Sequence, residues 1–196
     1  ILGLLEKKLK RYISEYGKLF AIAGLIIIID QWTKSIVRNN IPEGGSWTPW
    51  EWLAPYARIV HWYNTGAAFG IFQKGGMIFA GLAVVVSLLI IFYYPRTHEN
   101  DTVLKIAMCM QLGGAVGNLI DRLTLGFKVT DFISIGSFAV FNVADACITL
   151  SVVVLLLGTW AKENITKKSS KNDVGEINSP LPKTQKVEGE DITGGR

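Results

Sequence analysis

Four long apolar stretches dominate this chain and leave few folds open to it. Gly75 to Tyr94 runs for twenty residues without a charge, long enough to cross a hydrocarbon core of about 30 Å as a helix. Val140 to Ala161 is as long and is broken only by Asp145. Leu19 to Val37 carries Asp30 and Lys34 in its second half, and Val103 to Ile120 carries Lys105 at its start. Charged residues make up 18% of the 196 residues and apolar ones 49%, less charge than a soluble domain of this length carries. The reading is an all-α membrane protein with four transmembrane helices.

The net charge of +4 belongs to the membrane topology and is no sign of nucleic-acid binding. Lys7, Lys8, Lys10, Arg11 and Lys18 precede the first apolar stretch; Lys162, Lys167, Lys168 and Lys171 follow the last. Positive flanks mark the cytoplasmic side, so both termini are expected in the cytoplasm, which an even number of crossings allows. Residues 38–74 and 121–139 then face outward and 95–102 face inward. Arg38, Arg58, Lys74, Arg122 and Lys128 lie in the outward loops, so the bias is moderate. Cys109 and Cys147 fall inside apolar stretches and read as packed thiols. The stretch from Leu19 lacks a small-x-small site and reads as a retained anchor rather than a cleaved leader.

Residues 1–17 read as a basic amphipathic lead-in, 18–162 as a four-helix domain, and 163–196 as a disordered cytoplasmic tail too poor in apolar residues to offset chain entropy. Between helices 1 and 2, residues 38–72 hold or adjoin Trp32, Trp47, Trp50, Trp52 and Trp62. Trp favours the headgroup layer, so this insertion is expected on the outer membrane surface. Pro42, Gly44, Gly45 and Pro49 oppose a continuous helix there. Ala57 to Tyr63, rich in β-branched and aromatic residues, predicts a short strand. The loop is either a set of interfacial anchors or a platform for a substrate.

The polar residues inside the apolar region carry the functional question. Asp131 in Val-Thr-Asp-Phe-Ile and Asp145 in Phe-Asn-Val-Ala-Asp-Ala lie at the same end of the last two apolar segments. A carboxylate near hydrocarbon is costly and is seldom kept without a task. Two at one depth suggest a shared proton, with one carboxyl as base and one as acid. A fourth helix starting near Val140 would set Asp145 roughly 8 Å inside its end at 1.5 Å per residue. Asp131, after the Leu125-Gly126-Phe127 turn, would dip to a similar depth. Asn142 shares a face with Asp145, and Asn118, Asp121 and Arg122 share one on the third segment. An Asp121–Arg122 pair capping that helix is as good a reading as a catalytic one, whereas a buried Asn118 amide needs partners. Gly113 and Gly117 allow close helix packing. Asp30 and Lys34, at i and i+4, read first as an intrahelical ion pair worth a few tenths of a kcal/mol. Asn64 to Gly70 is a Gly-rich turn and a weak signal alone. His61 and His98 fall on opposite sides of the membrane, which argues against zinc.

Five blocks together resemble a known family: Asp30-Gln31-x-Thr33-Lys34, Asn64-x-Gly66-x-Ala68-Phe69, Gly113-Gly114-x-x-Gly117-Asn118-x-x-Asp121-Arg122, Val129-x-Asp131-Phe132 and Phe141-Asn142-x-Ala144-Asp145. In order and spacing, across about residues 20–160, they look like the bacterial lipoprotein signal peptidases (signal peptidase II). The resemblance implies an intramembrane aspartic endopeptidase of the bacterial plasma (inner) membrane, four helices with a small β-rich extracytoplasmic cradle. It implies Asp131 and Asp145 as the catalytic pair near the extracytoplasmic face. Asp30, Lys34, Asn64, Asn118, Arg122 and Asn142 would support the pair or bind substrate. The substrate would be a diacylglyceryl-modified prolipoprotein, cleaved before the lipidated cysteine. The enzyme would work as a monomer among membrane lipid, with no metal, cofactor or nucleic acid.

Two other classes compete. A proton-coupled exporter would need carboxylates near mid-membrane and a path to both sides, but the acidic groups here cluster toward the outer end. A scaffold subunit would tolerate amide replacement of both aspartates.

Overall fold

The computed structural model describes residues 2–66, 75–98 and 100–177, with side chains through residue 162. Among the described residues, four helices are long and apolar enough to span a membrane. The first, α1 (Leu2–Asn40), is continuous from the basic lead-in through the first apolar stretch. At about 1.5 Å per residue its 39 residues run about 58 Å, nearly twice a hydrocarbon core. It stops two residues before Pro42, whose ring disfavours a helical residue ahead of it. Helix α2 (Gly76–Tyr93) passes into a 3-10 turn over Tyr94–Arg96, and α3 spans Thr102–Thr124. Helix α4 runs from Val143 to Ile177, past Lys162, where the sequence reading starts the tail. Residues 178–196 of that expected tail lie outside the described residues, as does the Ala67–Gly70 part of the Gly-rich turn. The chain divides into two units, Ile1–Gly158 and Thr159–Arg196.

The insertion after α1 holds β1 (Ser46–Trp47), a 3-10 turn (Glu51–Leu53) and β2 (Ala57–Asn64). Strand β2 falls where its residues predict it. The sheet is not confined to that insertion: its third strand, β3 (Val129–Ile135), follows α3. All pairs are antiparallel in the order β1-β2-β3. Trp62 pairs with Asp131 and Tyr63 with Thr130, and the ladder slips between Ile59 and Trp62. Beyond β3, Phe141 bridges to Ile133, an extended geometry that delays the start of α4.

The core lies where α1, α2 and α3 meet, with Leu19, Ala23, Ile90, Tyr94, Cys109 and Leu112 buried together. A Cβ on Gly113 would stand 2.8 Å from the Ile26 Cβ, so the bare glycine is what lets α1 close on α3. Glu15 and Lys105 pair at 2.5 Å across the same two helices, which satisfies the charge expected at the start of α3. Outward, Leu25, Ile28, Leu82, Leu88, Leu89, Leu156 and Leu157 are exposed. Apolar faces of that extent suit a lipid solvent. Cys109 and Cys147 are free thiols.

Candidate active site

Polar residues from five elements gather at one end of the helices. The C-terminal half of α1 brings Asp30, Gln31, Lys34 and Arg38; the last turns of α3 bring Asn118, Asp121 and Arg122. The end of β2 brings Asn64, the first half of β3 brings Thr130 and Asp131, and the cap and first turn of α4 bring Asn142 and Asp145.

Asn142 ties the two candidate carboxyls together. Its side-chain amide donates to Asp131 Oδ1 at 2.7 Å, while its backbone N–H lies 3.4 Å from Asp145 Oδ2. Asp145 returns its backbone N–H to Asn142 Oδ1 at 2.9 Å, the reciprocal exchange of a capping box. Asp145 therefore stands in the first turn of α4. The expected depth of 8 Å is not found, because the helix begins at Val143 and Phe141 is spent on the sheet. Asp131 also accepts from Asn64 Nδ2 at 3.0 Å, and Asp145 from Asn118 Nδ2 at 2.7 Å. Asp131 is 1% exposed. Burial first, and the neighbouring charge of Asp145 second, push its carboxyl up to about 7, against the pull of its two amide donors.

Behind the pair lies a buried charge cluster. Lys34 Nζ sits 2.9 Å from Asp30 Oδ2 and 3.4 Å from Asp121 Oδ2, and donates to Asn118 Oδ1 at 2.9 Å. Asn118, the amide expected to need partners, thus joins Lys34 to Asp145 and also accepts from Asn142 at 3.1 Å. Asp30 and Lys34 are both fully buried, so the exposed-pair estimate does not apply. Removing Lys34 would take the shared cation from two buried carboxylates, at about 3–5 kcal/mol. Asp30 Oδ1 accepts the Ala144 N–H at 2.9 Å, satisfying one of the open donors at the start of α4. A Cβ on Gly117 would come within 2.7 Å of Asp30 Oδ2, so only glycine admits this contact.

The cap expected between Asp121 and Arg122 takes another form. Asp121 faces α1 and β3, accepting from Gln31 at 3.0 Å and from the Thr130 N–H at 2.9 Å, with Arg38 at 3.5 Å. Adjacent residues on a helix point about 100° apart, and Arg122 turns toward a cavity. Its guanidinium lies 5.6 Å from the centre of the Phe79 ring, and its Nε is buried without a partner among the described residues. The cavity, about 540 Å³, is lined by Asn64, Asn118, Arg122, Asp131 and Asp145 at its polar end. Its apolar part is lined by Phe79 of α2, by Phe138 and Phe141 ahead of α4, and by Ile148 and Leu150 on α4.

Every residue expected at the site lies in this network or on the cavity wall. Sequence reasoning missed Gln31, Arg38 and Thr130. Asp30, Lys34 and Arg38 recur at i, i+4 and i+8, a single helix face, and that period is the signal that points to Arg38.

With this geometry in view, comparison with known proteins is decisive: residues 22–161 match the Signal peptidase (SPase) II family. The chain belongs to the signal peptidase II family. The lipoprotein signal peptidase of Acinetobacter baylyi is 38% identical over 162 residues, covering 76% of this chain and 86% of that protein. That of Pseudomonas putida is 40% identical over 151 residues, covering 68% and 81%. A solved bacterial membrane enzyme, determined by the in meso method at 2.3 Å resolution, is 26% identical with a TM-score of 0.68. It covers 75% of this chain and 90% of its own. As a signal peptidase II the chain is a membrane peptidase, and its mostly helical fold with a small antiparallel sheet is that of a solved membrane enzyme.

Proposed function

We propose that this signal peptidase II is an aspartic endopeptidase that removes the signal peptide from diacylglyceryl-modified prolipoproteins, cutting before the lipidated cysteine. The observation that carries the reading is the buried Asp131 and half-buried Asp145 held together through Asn142 on the wall of one cavity. Two carboxyls so close cannot both be charged cheaply, so they hold one proton between them. The ionised member takes a proton from water, and the protonated member polarises the scissile carbonyl. The pair titrates as a unit, and neither aspartate is assigned one role.

The surroundings fit the later steps. Arg122 brings to the cavity wall a buried N–H that has no partner among the described residues, a donor suited to the oxyanion of a tetrahedral intermediate. Asn64, Asn118 and Asn142 hold the carboxyls in register. The apolar part of the cavity suits a hydrophobic signal helix or an acyl chain, and the exposed Trp47, Trp50, Trp52 and Trp62 suit a surface resting on headgroups. In this reading both termini are cytoplasmic and the site lies near the extracytoplasmic face of the bacterial inner membrane. The enzyme acts as a monomer on its lipid-borne substrate.

The test is processing by purified protein in detergent, with diacylglyceryl-modified and unmodified forms of one prolipoprotein. Mass spectrometry should find a single cut before the cysteine, only in the modified form. Equal cleavage of both forms, or a cut elsewhere, would remove the proposed specificity.

A further inference from the structure

Thr130 immediately precedes Asp131, and each of its polar groups is held by a different residue. Its N–H donates to Asp121 Oδ2 at 2.9 Å, its carbonyl lies 3.4 Å from Asn142 Nδ2, and its hydroxyl accepts from Arg38 Nη1 at 3.0 Å. Arg38 also reaches Asp121 Oδ1 at 3.5 Å, closing a ring of α1, α3 and β3. Thr130 is fully buried. Successive strand side chains point to opposite faces, so Asp131 enters the cavity while Thr130 points back toward the helices.

A hold at this place is needed because the strand ladder is irregular nearby. The β2–β3 register slips between Ile59 and Trp62, and Trp62 is the partner of Asp131. The regular register therefore breaks at Asp131, so in-register pairing holds it from the Thr130 side only, at the point where its carboxyl must meet Asp145. We infer that Arg38 and the Thr130 hydroxyl form a clamp that positions Asp131 against Asp145, with Arg38 a positioning residue anchored on Asp121. The inference rests on the proposed aspartate dyad. It assigns a geometric task to a helix cation that the proposed chemistry does not use. Misplacement of a reacting group by about 1 Å can cost on the order of a hundredfold in rate. The clamp should therefore act on turnover and leave substrate affinity alone.

Steady-state processing of a diacylglyceryl-modified prolipoprotein in detergent tests this with Arg38→Met, Arg38→Lys, Thr130→Val, Thr130→Ser and the double Arg38→Met/Thr130→Val. Arg38→Met and Thr130→Val should each lower kcat about tenfold or more with KM within about twofold. Thr130→Ser, which keeps the hydroxyl, should restore most of kcat, and Arg38→Lys part of it. The double variant should be no slower than the slower single one, since both break the same bond. Thermal unfolding in detergent selects the folded variants, and the Ser and Lys substitutions remain informative if Thr130→Val does not fold. Wild-type kcat in folded Arg38→Met, a rise in KM alone, or independent multiplication in the double variant would overturn the clamp. Asp131→Asn run alongside separates the two proposals. An inactive Asp131→Asn with unimpaired Arg38→Met removes the clamp alone, whereas an active Asp131→Asn removes the dyad and the clamp with it.

Discussion

Asp131 keeps its proton to about 7, against an ordinary value of 3.8, chiefly because it is buried. The sign follows from linkage. Between those values the folded protein holds a proton that the unfolded chain has released, so stability is greatest below about 4 and declines as pH rises to about 7. Thermal unfolding of wild type and Asp131→Asn in detergent across that window should give a steeper decline for the wild type. Parallel curves would mean that Asp131 is not the group responsible. Turnover should follow the same proton, falling as pH climbs through about 7 and the pair loses its acid. At Gly117 the constraint is space. A methyl there would press on Asp30, which holds Lys34 and the first turn of α4. Gly117→Ala should cost about 1–3 kcal/mol of stability and lower activity, as read by unfolding and processing assays; a neutral variant would show that Asp30 can move aside.

Helices were legible in this sequence and the sheet was only half so. Long apolar runs fix the four spans because the bilayer tolerates little else. The spacing of Asp30 and Lys34 announces a shared face, yet it cannot say that the face is fully buried against α3. Strand β2 carries its own β-branched and aromatic signal. In β3 the residues of Val-Thr-Asp-Phe-Ile are nearly all buried, so the alternation that marks a half-exposed strand is missing. The start of α4 is hidden for a related reason: Val140 and Phe141 are apolar enough for a helix, but Phe141 is bound to Ile133 in the sheet. The pairing of Lys34 with both Asp30 and Asp121 joins α1 to α3. Lys34→Met should therefore cost about 3–5 kcal/mol, and adding Asp121→Asn should recover part of that loss. Additive losses in a double-mutant cycle of unfolding free energies would break the proposed coupling.

At the scale of the whole molecule, the site is assembled from residues as far apart in sequence as Asp30 and Ala144, so no single segment reveals it. The eight residues expected at the site come from five short blocks, which leave out Arg38; the contacts could not be read at all, because tertiary packing decides which partner Asp121 or Asn118 meets. Among the described residues, the cluster draws on none beyond Asp145 and the cavity lining on none beyond Leu150. Truncation after Lys162 should accordingly leave processing within about twofold of wild type, and a large loss would make the C-terminal segment part of the machinery. Peptide hydrolysis by a shared-proton carboxyl pair is the claim on which the rest depends. It is tested most directly by turnover of a lipidated prolipoprotein by wild type, Asp131→Asn and Asp145→Asn, each verified as folded in detergent. The account predicts that either amide abolishes cleavage; wild-type turnover by either folded variant would contradict it.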